Sequence, residues 1–450
     1  MTVRASITIC VLFTVACSVA VAQTHENPSV RSMQRKVGFV PKHKKSRNTA
    51  TNIQRASFED LIPGEESAGE SVSTLPHHEL VLDDTGWMND GCQTAMCNPL
   101  RVTARAEYLL WSTKGLELPS LVTRSPSGTD QDSAGVLGQT GTTTLFGNGE
   151  INDELRSGGR YTIGLYLDPF ESNGVRITYL HLSEENDGYS GSNITSPILG
   201  RPFFNTLLGQ EDARLIAFPG LVAGTLDVTS STEFHSLEVV KQRPSVFFLN
   251  GQGEYQFGYR YAELNDQIRV SESTISLSGP TLDTDFQLFD QFKTENQFHG
   301  GQFGIRVVRP HSRNLTIELL GKVALGNTQT KAFISGQTVT NPPSAEASTT
   351  ASGLLVQGTN SGEFDDNSFT SIFDVGVWLR HHSNCGITTS IGYSFLFWND
   401  VLRAGDVIDT TVNPTQIPPG TLSGEARPAF EFNTTDFWAQ GVNFGIEYRF

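Results

Sequence analysis

Beyond its first two dozen residues the sequence has no run approaching the roughly 18 apolar residues that a membrane-crossing helix needs, which excludes a helical membrane protein. Methionine is scarce, Met 4 in 450 residues against Gly 43 and Phe 28, and helix-period stretches are few, so an architecture of long helices is excluded and strands are favoured. Basic charge is short as well. Lys+Arg 32 against Asp+Glu 48 leave a formal net charge of −16, and an acidic chain does not suit nucleic acid, which wants basic surface. Neither a Gly-x-Ser-x-Gly elbow nor a His-Glu-x-x-His zinc motif is present, so the common sequence signatures of hydrolases are missing.

What the chain does have begins with a secretory leader. Arg4 supplies positive charge, Ile7 to Val15 a short apolar core, and Ala20-Val21-Ala22 the small-x-small cleavage pattern, predicting removal of residues 1–22. Cys17 raises a lipoprotein signal as the rival, but Thr14 stands where such signals carry a large aliphatic residue. Loss of Arg4 takes the net charge to −17 (−16 − 1). The expected mature chain keeps Cys92, Cys97 and Cys385; in an oxidising compartment Cys92 with Cys97 is the local disulfide candidate, read as a structural staple because redox pairs are usually Cys-x-x-Cys. Residues 23–98 run from a basic stretch, Arg31 to Arg55, into an acidic one, Glu59 to Asp84, with no sustained apolar period. They read as a mostly disordered periplasmic segment.

From Arg101 onward strict alternation takes over, predicting an outer-membrane β-barrel over residues 99–450. In such a wall one parity faces lipid and the other the lumen. The last segment sets Val442, Phe444, Ile446, Tyr448 and Phe450 against Gly441, Asn443, Gly445, Glu447 and Arg449. Tyr161, Ile163, Leu165 and Leu167 oppose Arg160, Thr162 and Gly164; Tyr255, Phe257, Tyr259 and Tyr261 oppose Glu254, Gln256, Gly258 and Arg260; Phe303, Ile305 and Val307 oppose Gln302, Gly304 and Arg306. Connections alternate in length, with short ones near Pro169–Asn173, Gln242–Gly251, Pro310–Asn314 and His382–Cys385. Long ones fall at Thr113–Ser157, Glu185–Leu226, Ser271–Thr284, Thr338–Asn367 and Val401–Thr435. That is the pattern of short periplasmic turns and long external loops. It predicts about ten antiparallel strands with both ends on the periplasmic side, or twelve to fourteen if Val136-Leu137 and Leu354–Val356 are strands.

A terminal Phe450 preceded by Tyr448, Ile446, Phe444 and Val442 resembles the signal read by the bacterial barrel assembly machinery. More specific stretches follow: Arg105 to Trp111 with Thr113-Lys114-Gly115, Leu118-Pro119 to Val122-Thr123, Thr143 to Gly147, Arg156 to Arg160, Arg201-Pro202-Phe203-Phe204, Asn296 to Gly301 and Gly321 to Gly326. Together they resemble the beta-barrel porin-7 family of planctomycete type across most of residues 100–450. The resemblance implies a fold and an outer-membrane address, with lipids and the assembly machinery as partners; it carries over no functional residue.

The inward parity is charged. It holds Arg105, Arg160, Arg176, Arg260, Arg306, Lys322, Arg380 and Arg449 beside Glu107, Glu238, Glu254, Glu318, Asp374 and Glu447. Ten strands lie near the filled end of the range of barrel widths, so the near balance of charge predicts pairing across a narrow lumen; a selectivity ring for small solutes or cations is the rival. Three functions follow: a narrow porin-like channel, favoured by the family label; a closed structural or surface-binding barrel working through its external loops; and, least favoured, a surface hydrolase built on His181 and His235. The expectation is no enzyme, no cofactor and no metal.

Overall fold

The computed structural model describes residues 101–167, 173–248, 251–417 and 420–450. The leader, the 23–98 segment and the Cys92–Cys97 pair lie outside the described residues. Ten long strands make the wall: β1 Arg101–Thr113, β2 Arg156–Tyr166, β3 Gly174–Ser192, β4 Val222–Phe248, β5 Gly251–Ser276, β6 Asp285–Ser312, β7 Leu315–Asn341, β8 Gly362–His382, β9 Ile387–Leu402 and β10 Thr434–Arg449. Each pairs antiparallel with its neighbours. The ring closes where β1 meets β10, in register from Thr103↔Arg449 to Thr113↔Ala439. Closure removes every exposed edge, which matters because an unpaired N–H or C=O in lipid costs several kcal/mol.

The alternation read from the sequence divides the wall as expected. Ile163, Leu165, Ile177, Val239, Phe257, Phe303, Leu319, Phe373, Val375, Ile391, Phe444 and Ile446 are exposed on the outer face, forming the apolar band that lipid covers. Leu109, Trp111, Phe234, Phe298 and Trp398 are fully buried inside. No helix among the described residues is long and apolar enough to cross a membrane.

Two features differ from the expectation. First, the strands are longer. β6 spans 28 residues, on the order of 95 Å at a strand rise of about 3.4 Å, while a lipid band needs only about 25 Å. Ser271–Thr284, read as a long loop, is strand over its first six residues, with β5 continuing to Ser276, and only Leu277–Thr284 connects it to β6 at Asp285. Above the lipid band the outward residues can be polar, so the apolar alternation fades while Ser, Thr and Gln still pair in the ladder. Second, Leu354–Val356 is not a strand; it is a buried turn packed inside the outer end. The strand number is therefore ten.

The longer connections at the outer end fold inward. Val122–Arg124, Thr143–Phe146, Leu199–Asn205, Gln210–Ala217 and Thr411–Val412 form a small sheet of their own, drawn from three different connections. It packs against the inner faces of β4 to β7 in a large apolar core, Leu121, Val122, Leu199, Ile216 and Val356 meeting Leu226, Val228, Ile268, Val270, Phe292 and Ile334.

Candidate functional site

The inside of the barrel is stacked in four layers, beginning at the end that carries the strand termini. There the inward parity brings the charges expected from the sequence into one buried network that falls into three groups. Arg260 and Lys322 share Glu238 and Asp374, at 2.9 to 3.7 Å. Arg176, Arg306 and Arg380 share Glu254, Glu318 and Glu447: Glu318 Oε2 takes Arg380 at 2.7 Å and Arg306 at 2.9 Å, Arg306 and Arg176 reach Glu254 at 3.3 and 3.5 Å, and Arg380 also binds Glu447. Arg105 and Arg160 share Glu107, at 2.7 and 3.6 Å. Arg449 stands at the mouth, 41% exposed, 3.5 Å from Glu447. Pairing of this kind is what a buried ion requires, because one left alone costs several kcal/mol.

Local sequence makes room for the network. Trp378 donates from Nε1 to Glu107 Oε1 at 2.8 Å, and its ring fits only because its lumen-side neighbours are glycines. A Cβ on Gly392 would stand 2.2 Å from Trp378 Cδ1, and one on Gly376 2.3 Å from Cη2.

The second layer is apolar. Leu109, Trp111, Phe234, Phe298, Leu396, Trp398 and Phe437 pack together inside the ring, none of them reached by solvent. Phe234 and Phe437 lie 5.3 Å apart, and Phe298 meets Trp398 edge to face at 6.1 Å. The third layer is polar and ties the wall to the infolded connections. Arg403 binds Asp266 through Nε at 2.5 Å and Nη2 at 3.2 Å. Asn296 donates to Leu402 O and accepts from Leu402 N, both at 2.8 Å, and Arg156 reaches Thr113, Asn152 and Glu185. The fourth layer is the outer core, through which Arg201 runs to Glu272 at 3.2 Å and Asp290 at 2.5 Å. Asp290 also accepts from the backbone N–H groups of Leu354, Leu355 and Val356 at 3.0 to 3.3 Å.

These latches, Arg201, Asp266, Glu272, Asp290, Asn296 and Arg403, went unmarked as sites in the sequence. Arg201 and Asn296 do sit inside the family-like stretches, which is the one signal that singled them out. Their acidic partners stand at inward positions beside apolar ones, Asp266 and Glu272 flanking Ile268 and Val270 and Asp290 next to Phe292, and nothing in the pattern says which arginine each one meets.

His181 and His235 are brought together, as Cα partners on β3 and β4, but on the outer wall. His181 stacks with Tyr161 and Tyr179, His235 Nε2 lies 3.1 Å from Glu263, and Tyr259 bonds His299 at 2.5 Å. The row has the composition of an aromatic girdle at a lipid boundary. Among the described residues no group of three or more His, Cys, Asp or Glu side chains is placed to hold a metal.

Asp406, in the connection after β9, is a buried titratable group of the outer end. Burial raises its pKa to about 6, against the smaller opposing pull of Arg403 and Lys114. A carboxyl raised on folding stabilises the folded state when protonated, and that contribution is lost as pH rises from about 4 through about 6. Asp406→Asn is therefore expected to raise the unfolding temperature at pH 8 and leave it unchanged at pH 4. A pH-independent effect, read by thermal scans at the two pH values, would refute the assignment.

A closed, antiparallel, ten-stranded wall with an apolar girdle and an interior filled by alternating polar and apolar layers defines a β-barrel of the outer-membrane type. The chain matches the family described as Putative beta barrel porin-7 (BBP7) over residues 104–450, and it belongs to that family. No curated protein matches it by sequence. Among solved structures it is similar to the outer membrane protease OmpT of Escherichia coli, at 8% identity with a TM-score of 0.36, covering 80% of this chain and 99% of that one. It is also similar to a Pseudomonas aeruginosa FadL homologue, at 6% identity and a TM-score of 0.20, covering 78% and 90%. A third is the Ralstonia pickettii toluene transporter TbuX, at 8% identity and 0.17, covering 78% and 89%.

Proposed function

We propose that this chain is a closed outer-membrane barrel whose working surface is its infolded external end, with the 23–98 segment on the periplasmic side and surrounding lipid and the assembly machinery as its general partners. The observation that carries this reading is the aromatic layer. A solute crossing the lumen would have to displace Trp111, Phe234, Phe298, Trp398 and Phe437, all at 0% exposure, and then pass the outer core. The charges below that layer act in the same reading as structural pairs, and the chain works without catalysis.

The porin label of the family favours the rival, a narrow channel for small solutes or cations, which would require the aromatic layer to swing aside. Single-channel recording in planar bilayers, on protein shown by a heat-modifiability gel to be folded, separates the two. The closed barrel is expected to give no reproducible current steps. Discrete steps would sink that reading, and their ion preference would then be set by the lumen charges.

A further inference from the structure

The three groups of lumen charges are not equally balanced. With Arg449 set aside at the exposed mouth, where it reaches Glu447, two buried cations meet two carboxylates around Glu238 and three meet three around Glu318, but Arg105 and Arg160 have only Glu107 between them. Glu107 Oε1 is already taken by Arg105 Nη2 at 2.7 Å and Trp378 Nε1 at 2.8 Å. Arg105 leans further toward Glu318, 3.6 Å away. Arg160 is therefore the surplus cation. It is 7% exposed, its nearest carboxylate oxygen is 3.6 Å off, and its remaining contacts are Ser394 Oγ at 3.4 Å and the faces of Trp111 and Trp378 at 5.3 and 5.7 Å. Its Nη2 is buried with no hydrogen-bond partner.

Arg160 borders a polar cavity of about 60 Å3 whose lining runs to Thr103, Tyr166 and Arg449 at the periplasmic end. Asp374 lines the same cavity, and its Oδ1 also has no hydrogen-bond partner. That volume is several times what one water needs. A surplus buried guanidinium with a free N–H beside a polar void calls for one negative charge, and the free Asp374 oxygen calls for a donor.

We infer that this cavity is a binding site for a small, singly charged, protonated oxyanion, of the dihydrogen phosphate class, entering from the periplasmic mouth. Its oxygens accept from Arg160 Nη2 while its hydroxyl donates to Asp374 Oδ1. Chloride has charge but no donor, so it satisfies only half of the site. The site is independent of whether the aromatic layer above it ever opens.

The test is equilibrium dialysis of the folded, full-length mature barrel against radiolabelled inorganic phosphate at mildly acidic pH, where the dihydrogen form dominates. The expected result is saturable binding of one phosphate per barrel, resistant to an excess of chloride. Arg160→Gln should weaken it by at least about tenfold, as loss of a charge-assisted bond does, and Arg160→Lys, which keeps the charge, by less. A heat-modifiability gel verifies that each variant is folded. Absence of saturable phosphate binding to the unaltered barrel overturns the inference. So does equal displacement by chloride, or binding unchanged in folded Arg160→Gln.

Discussion

Glu318→Gln is expected to lower the unfolding temperature of the barrel by about 6–10 °C. The carboxylate is 2% exposed and stands between Arg306 and Arg380 with Arg105 beyond, and Arg380 passes the chain of charge on to Glu447 in the last strand of the wall. Removing one member of a buried pair leaves the other uncompensated, typically at ~3–5 kcal/mol, and each kcal/mol moves the midpoint of a domain this large by about 2 °C. The amide keeps the shape, so packing is not disturbed, and the loss reports the missing charge together with the one acceptor oxygen that becomes a donor facing arginine. Asp366→Asn, an exposed residue near the outer end of β8, serves as the control and should move the midpoint by less than 1 °C or so. The shift in a heat-modifiability gel decides the matter. Equal midpoints for the two variants would mean that the charges do not hold the barrel.

Asp290→Ala should act differently, on the outer end rather than the whole wall. This side chain is wholly buried, and it holds three consecutive backbone N–H groups of Leu354–Val356 as well as Arg201. Its loss orphans the three N–H groups at once and takes one of the two carboxylates from Arg201, and each buried donor left unsatisfied costs about 1–3 kcal/mol. The segment 342–361 is expected to leave the outer core and become cleavable by chymotrypsin at Leu354 or Leu355 at least about tenfold faster. Arg201, left with Glu272, should loosen the connection that carries Leu199–Asn205. The strands below should keep their heat-modifiable mobility. Limited proteolysis with mass mapping reads the outcome, and cleavage unchanged from the parent would show that Asp290 is no latch.

The contrast between these two variants follows how the sequence announces the fold. Within the lipid band the solvent on one face is hydrocarbon and on the other a polar lumen, so Val442 to Phe450 must alternate, and the strand, its facing and its charged partners are all legible. The same constraint exposed every one of the fourteen lumen charges. Above the band that constraint is lifted. Thr294, Asn296 and Asp290 point inward from β6 while Lys293, Glu295 and Gln291 point outward, polar on both sides but for Phe292, and one apolar residue is too little to mark the period. The strand ends were misplaced there for that reason. The aromatic layer was hidden differently: Leu109 with Trp111, Leu396 with Trp398, and Phe298 alone stand at lumen parity as short apolar interruptions among polar residues, and only the ring's closure shows that they lie at one height. Which carboxylate serves which arginine is likewise a matter of three-dimensional neighbours, Glu107 meeting Arg160 through the pairing of β1 with β2.

The length of the wall has one further consequence. β5 continues for some fifteen residues past Tyr261, at the upper edge of the girdle, which at about 3.4 Å per residue and a tilt near 40° lifts the external tip about 40 Å above the lipid. Whatever meets that tip does so from the surrounding medium, beyond the reach of the membrane's own surface charge, which fades within a Debye length of about 8 Å at physiological salt. In the proposed orientation, an encounter there is governed by the charges of the outer end itself and not by the lipids in which the barrel is planted.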